Sequence, residues 1–202
     1  MATFLCEWSP AELTTRLDQA LRVYVAAMGY PPGTEQQRAT TWLEHTRRPG
    51  WKAVAAVEVT AHPAQPAAAP SAAALRDGPL LGVAYGYRGA PGQWWHQQVM
   101  AGLRHAGLPE PRIAALLDSY FELTELHIDP HAQGRGLGEG LLRRLLTERP
   151  EAGVLLSTPE SHGEGNRAWR LYRRLGFTDV IRDHRFAGDP RAFAILGRRL
   201  PL

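Results

Sequence analysis

Residues 120–158 constrain the fold most. They read YFELTELHI, then DPHAQGRGLGEG, then a run with leucine pairs at Leu141–Leu142 and Leu145–Leu146, and finally GVLLST after Gly153. Tyr120–Ile128 and Gly153–Thr158 are short and apolar and predict strands, the first ended by Pro130. The leucine pairs recur at helical spacing and predict a helix to about Arg149. Strand, helix and strand in that order form a crossover unit, which commits the chain to a mixed α/β sheet.

The rest of the chain supplies more of the same elements. Ser9 and Glu12 have capping-box spacing, with Pro10 at the first helical position. Leu13, Leu17, Ala20, Leu21 and Tyr24 then recur at helical spacing until Gly29. A second, polar helix is predicted over Thr34–Arg47, and strands over Trp51–Thr60 and Leu80–Arg88. Between those strands, residues 61–79 are an Ala/Pro segment whose prolines oppose a helix, so they predict a long mobile loop closing a hairpin. Residues 89–119 predict a helical insert of two helices, QWWHQQVMAGLRHAG and a second begun by Pro111. A helix over Asn166–Leu175, stopped by Gly176, and strands over Phe177–Phe186 and Arg191–Leu200 complete the series. A chain of 202 residues carrying one such series predicts a single domain, 1–202.

Composition narrows the function classes. Cys6 is the sole cysteine, so no internal disulfide forms. The first ten residues lack a signal-peptide pattern, and no apolar window approaches the roughly 20 residues of a membrane span. The expectation is a cytoplasmic protein without a membrane partner. The net charge is +3, carried by scattered arginines with Lys52 the only lysine, which is not the dense basic stripe of a nucleic-acid binder. The histidines show no metal-ligand spacing; His127 and His131 are separated by a strand end and a proline. No Ser-His-Asp or Cys-His arrangement stands out.

The glycines at 134, 136, 138 and 140 need an explanation, since each glycine inside a helix costs about 1 kcal/mol. A dinucleotide fingerprint fails in both registers, because Glu139 and Leu141 stand where its third glycine belongs. A Walker loop fails for want of a lysine. What remains is a strand, a glycine turn and a helix start, whose unpaired amides and dipole suit a phosphate or pyrophosphate. A ligand-free turn is the alternative.

The stretch LHIDPHAQGRGLG (Leu126–Gly138) resembles the acyl-CoA signature of the GNAT superfamily, the GCN5-related N-acetyltransferases, with Gln133, Gly136 and Gly138 at its fixed positions. NRAWRLYRRLGF (Asn166–Phe177) is similar to that family's second motif. The resemblance covers roughly residues 120–178. It implies a mixed, mostly antiparallel six- to seven-stranded sheet flanked by about four helices, to which the insert at about 89–119 is an addition. It also implies acetyl-CoA as acyl donor, no metal, and direct transfer to a primary amine on a small-molecule or peptide acceptor. A catalytically inactive acyl-CoA-binding or regulatory module is the alternative.

By the same resemblance, Gln133, Gly134, Arg135, Gly136, Leu137, Gly138 and Glu139 cradle the CoA pyrophosphate. The backbone of Leu126, His127 and Ile128 pairs with the pantetheine arm, on a strand that splays from its neighbour. Asn166 contacts the cofactor arm or simply caps its helix. Tyr172 stands where the family has a general acid for the departing thiolate. Glu122 is the first candidate for general base and Glu125 the second. Strand alternation puts these two on opposite faces, with His127 on the face of Glu125. Arg135, and Arg143 or Arg144, offer charge-assisted bonds to the phosphates; surface arginine is the alternative, and the favoured one for Arg143 and Arg144. In the insert, Trp94, Trp95, Met100 and Leu103 leave open a lid over the acceptor, a helix packed on the sheet, or a homodimer face.

Overall fold

In the computed structural model, residues 1–60, 70–160 and 166–202 are described. They form a seven-stranded mixed sheet of order β1-β2-β3-β4-β5-β7-β6 with helices around it. The strands are β1 Ala2–Trp8, β2 Lys52–Val59, β3 Leu80–Arg88, β4 Tyr120–Ile128, β5 Gly153–Pro159, β6 Thr178–His184 and β7 Phe193–Arg199. The helices are α1 Pro10–Thr15, α2 Leu17–Met28, α3 Thr34–His45, α4 Ala72–Asp77, α5 Trp94–His105, α6 Glu110–Leu117, α7 Leu137–Leu146 and α8 Arg167–Arg174. The crossover unit is present: β4 and β5 are parallel, and α7 connects them.

The chain divides into two compact units. The first holds residues 1–86 and 125–145. Its strands β1, β2 and β3 are antiparallel, with Ala2 opposite Val59 and Lys52 opposite Gly86. Ala53–Val57 of β2 are all buried, the mark of a strand covered on both faces. Gly82 of β3 needs to be glycine: a Cβ there would lie 2.6 Å from Ile128 Cδ1 and 3.0 Å from the His127 carbonyl oxygen. The absent side chain lets β3 approach β4 closely.

The capping box at the start of α1 is complete. The Ser9 hydroxyl accepts from the Glu12 amide, and the Glu12 carboxylate accepts from the Ser9 amide at 2.7 Å. The helix then breaks at Arg16 rather than running on to Gly29. Thr14 and Thr15 turn their hydroxyls back onto the Pro10 and Ala11 carbonyls, which weakens helical continuation. Arg16 itself is buried and donates to the Leu75 and Gly78 carbonyls at 2.9 and 2.6 Å.

Three expectations need correction. The segment Ala2–Trp8 is a strand, although no strand is expected before Pro10. Residues 72–77 are a helix: the prolines at 70 and 79 flank α4 instead of interrupting it, and the Ser71 hydroxyl caps it by accepting from the Ala74 amide at 3.1 Å. Residues 61–69 of the expected loop lie outside the described residues. With α1 and α2 separate and α4 added, six α-helices stand outside the insert among the described residues, rather than about four.

The second unit holds residues 87–124 and 146–202. Here β5 pairs in parallel with Tyr120–Leu123 of β4 and antiparallel with β7, which pairs with β6. The insert helices pack on this part of the sheet. Trp95, Val99 and Leu103 of α5 and Ile113 and Leu117 of α6 join Tyr120, Leu155, Ile181, Phe186 and Ile195 in one buried cluster, with Met100 against it. Trp95, Met100 and Leu103 therefore belong to the sheet-packed alternative. Trp94 remains 52% exposed, its ring 5.4 Å from that of Phe186.

Candidate active site

Sequence dictates how the glycine turn is built. The Asp129 amide donates to the Leu81 carbonyl (2.9 Å), which ends β4 against β3. The Asp129 carboxylate accepts from the His131 amide at 2.8 Å and caps a 3₁₀ turn over Pro130–Ala132. The Gln133 amide group reaches back to the Ile128 carbonyl at 3.4 Å. Gly134 and Gly136 then take φ values of 81° and 77°, a left-handed conformation that glycine adopts without steric cost. The Gly136 carbonyl accepts from the Gly140 amide at 3.1 Å, so α7 starts at once after it. The first amides of such a helix have no partner within it.

The charges near this turn are arranged in pairs. Glu139 in the first turn of α7 accepts from Arg143 Nε at 2.9 Å, one turn along. That pairing offsets an acidic group where an anion is expected. Arg135 donates to Thr3 Oγ1 at 2.8 Å and lies 3.4 Å from Glu58, so its guanidinium is engaged with β1 and β2. Arg144 pairs with Glu7 at 3.0 Å. Gly140 packs closely, with a Cβ there falling 3.0 Å from Leu5 Cδ1.

β4 carries titratable side chains on both faces. Among the described residues, its pairing with β5 runs from Tyr120↔Gly153 to Leu123↔Leu156, while the strand itself continues to Ile128. Leu126 and Ile128 are half-buried in this last part; Glu125 and His127 alternate with them and are buried. The two buried groups meet, His127 Nε2 lying 2.5 Å from Glu125 Oε2. From α3, Arg38 Nη2 donates to Glu125 Oε1 at 3.1 Å. The His127 ring sits edge-on to Tyr24 at 4.9 Å and parallel to Trp42 at 6.5 Å.

Burial alone would raise the Glu125 carboxyl, but His127 and Arg38 together hold it below the ordinary carboxylate range. Burial, and next the charge of Glu125, push the Tyr24 phenol well above its ordinary value, so it stays neutral. Beside them, His45 Nδ1 and the Tyr85 hydroxyl are 3.0 Å apart. Burial, helped by Arg48, pushes the His45 imidazole down to about 4.

In the second unit, Glu122 is buried on β4 and accepts from the Tyr87 phenol at 3.0 Å. Tyr172 is buried on α8 with its ring 5.5 Å from Phe177. Asn166 caps α8, its side-chain oxygen accepting from the Trp169 amide at 2.9 Å. The Trp169 indole N–H in turn donates to the Pro159 carbonyl at 3.0 Å, tying α8 to the end of β5.

The structure thus joins Glu125 to His127, and adds residues the sequence does not point to: Arg38, Tyr24 and Trp42 around that pair, and Tyr87 on Glu122. One signal exists. Two ionisable residues at alternate positions of a buried strand demand a polar partner, and α3 is a polar helix that carries Arg38 and Trp42 one turn apart. Among the described residues, no group of three or more His, Cys, Asp or Glu is placed to hold a metal ion, and no helix is long and apolar enough to cross a membrane.

Among the described residues, a glycine turn thus opens a helix directly after a strand whose pairing with its parallel neighbour stops at Leu123. A family model for the GNAT acetyltransferase domain matches residues 105–179. A GCN5-like protein acetyltransferase of Mycobacterium tuberculosis is 66% identical over 206 residues, covering 100% of both chains. The chain belongs to the GNAT acetyltransferase family. Solved structures share the fold at low identity. An N-acetyltransferase of Staphylococcus aureus aligns with TM-score 0.59 at 15% identity, covering 100% of both chains. The ribosomal-protein-S18-alanine N-acetyltransferase of Escherichia coli aligns with TM-score 0.58 at 16% identity, covering 100% of this chain and 96% of that one. The Salmonella typhimurium protein yncA, solved with its cofactor acetyl-CoA, aligns with TM-score 0.57 at 14% identity over 100% and 96%.

Proposed function

We propose that this chain transfers an acetyl group from acetyl-CoA to a primary amine, directly and without a covalent enzyme intermediate. One observation carries the reading: the left-handed pair Gly134 and Gly136 opens α7 immediately after β4. The exposed glycines leave the backbone open to close approach, and the helix start presents amides and a positive dipole end to a pyrophosphate. Gln133, Gly134, Arg135, Gly136, Leu137, Gly138 and Glu139 form this cradle, with Arg135 held to β1 and β2 and lending its backbone. Leu126, His127 and Ile128 supply strand backbone to the pantetheine arm. The amide group of Asn166 is oriented by the cap its oxygen makes. The name of the Mycobacterium tuberculosis relative supports an amine on a protein as acceptor.

The chemistry balances as follows. The neutral amine nitrogen attacks the thioester carbonyl carbon; the C–N bond forms and the C–S bond breaks. The sulfur leaves as thiolate and takes the proton of the Tyr172 phenol. The nitrogen gives up its extra proton to a carboxylate. Glu122 suits that role better than Glu125. It accepts from the Tyr87 phenol, whereas Arg38 and His127 hold Glu125 as a weakly basic anion.

Tyr172→Phe tests the reading. Turnover should fall on the order of a hundredfold or more, with acetyl-CoA affinity by calorimetry almost unchanged. Equal loss in both would remove the general-acid role. Tight CoA binding by the unaltered protein with no thiol release across a panel of peptide and small amines would sink the enzyme itself.

A further inference from the structure

We propose that Arg38, Glu125 and His127 are positioning residues, a clamp that holds the end of β4 in the shape its backbone needs to receive the pantetheine arm. The proposal rests on the acetyl-CoA reading above and deepens it, because nothing in the family resemblance assigns a role to α3. Beyond Leu123, β4 has no pairing with β5 among the described residues. A strand held by hydrogen bonds on one side only tends to fray or drift. Yet an edge that receives a ligand by backbone bonds must be held to a fraction of an ångström.

The side chains of β4 meet that need from the face of α2 and α3. Arg38 binds one oxygen of Glu125 at 3.1 Å, and His127 lies 2.5 Å from the other. Both carboxylate oxygens are therefore fixed in direction, one from the helix and one from the strand itself. The His127 ring is held in turn by Tyr24 at 4.9 Å and Trp42 at 6.5 Å. The Arg38 guanidinium lies 5.7 Å from the Tyr24 ring centroid. Three side chains from two helices, Arg38, Tyr24 and Trp42, thus hold the residues on either side of Leu126.

Stability does not account for this arrangement. A buried ion pair is often no more stabilising than apolar side chains of the same volume. Glu125 and His127 occupy positions where Leu and Phe would bury the same face. What the hydrogen-bonded trio adds is direction: directional polar contacts tolerate fewer strand positions than interchangeable hydrocarbon does.

The test uses the full chain. Glu125→Gln, Arg38→Met and the apolar replacement Arg38→Leu/Glu125→Leu/His127→Phe are compared with the unaltered protein. Amide hydrogen exchange without any donor should speed up locally at Leu126–Ile128 in every variant, while the β2 amides stay protected. The KM for acetyl-CoA should rise on the order of tenfold, with kcat at saturating donor within about twofold. The apolar replacement should keep the melting temperature and still show the raised KM, which a merely structural role would not predict. A variant that loses protection throughout is replaced by Glu125→Gln, the isosteric change. Unchanged exchange and KM in Glu125→Gln would overturn the clamp. So would a fall in kcat with KM unchanged, which would make Glu125 the base. The exchange measurement needs no donor, so the clamp stands or falls separately if the unaltered protein fails to bind acetyl-CoA.

Discussion

Two helical layers, one in each unit, cover sheet residues with different chemistry. In the second, α5 and α6 cover the sheet with hydrocarbon: Trp95, Val99, Leu103, Ile113 and Leu117 meet Tyr120, Leu155, Ile181 and Ile195. In the first, α2 and α3 meet β3 and β4 through Arg38, Glu125, His127, His45 and Tyr85, with Tyr24 and Trp42 among them. An apolar layer is strong and indifferent to direction. A polar layer is weaker in net free energy and fixes geometry. β4 runs through both: its paired start lies in the apolar unit, and its end, where a ligand's backbone contacts are proposed, lies in the polar one.

The comparison breaks most easily in the apolar unit. Leu103 is fully buried, so Leu103→Ala should cost about 2–5 kcal/mol in chemical denaturation, the lost transfer energy plus the cavity left behind. The loss should be the same at pH 7 and pH 5, since neither leucine nor alanine titrates. A cost under about 1 kcal/mol would mean the cluster collapses around the gap and is not tightly packed.

The polar unit should respond to acid instead. His45 titrates at its ordinary value of 6.5 when unfolded and at about 4 when folded. Between those values the unfolded chain holds a proton that the folded chain does not, so stability falls as pH falls. The slope approaches about 1.4 kcal/mol per pH unit, roughly 3 kcal/mol over the window. Glu125 acts at a lower pH: its carboxyl is depressed, so its contribution is complete above the ordinary carboxylate range and is lost as pH falls through the depressed value. His96 and His184 of the second unit shift in the same direction as His45 through burial. His45→Gln should therefore reduce the acid slope without abolishing it. An unaltered slope would assign acid sensitivity to the second unit and reverse the contrast.

Much of this was legible in the sequence because it is local. The capping box at Ser9, the cap at Asn166, the bounds of β3 and β4 and the glycine turn are all written within a few residues. β1 was not legible, since ATFLCEW is half-buried nearly throughout and shows no clean alternation of apolar and polar positions. Nor was α4, one short helix between prolines whose cap is a single serine. In the candidate site, the glycine turn and the helix start after it could be read from the sequence. The partner of Glu125 could not, because Arg38 stands 87 residues away and only the folded sheet brings them together.

The smallest expected effect separates two uses of glycine within the first unit. At Gly82 the constraint is space, the neighbouring Ile128 methyl lying 2.6 Å from where a Cβ would be. At Gly136 it is conformation: a Cβ would meet nothing within 4 Å, but φ is 77°. Were Gly136 an ordinary helix position, alanine would stabilise it by about 1 kcal/mol. A left-handed residue predicts the reverse, with Gly136→Ala destabilising by about 1 kcal/mol. Asparagine tolerates this conformation better than alanine, and valine tolerates it worst. Thermal melts should rank the residues at 136 as Gly, Asn, Ala, Val, and the KM for acetyl-CoA should rise in the same order as the turn is displaced. Alanine above asparagine would show that the turn relaxes into helix, and that the shape of the cradle is not set by the backbone of Gly136.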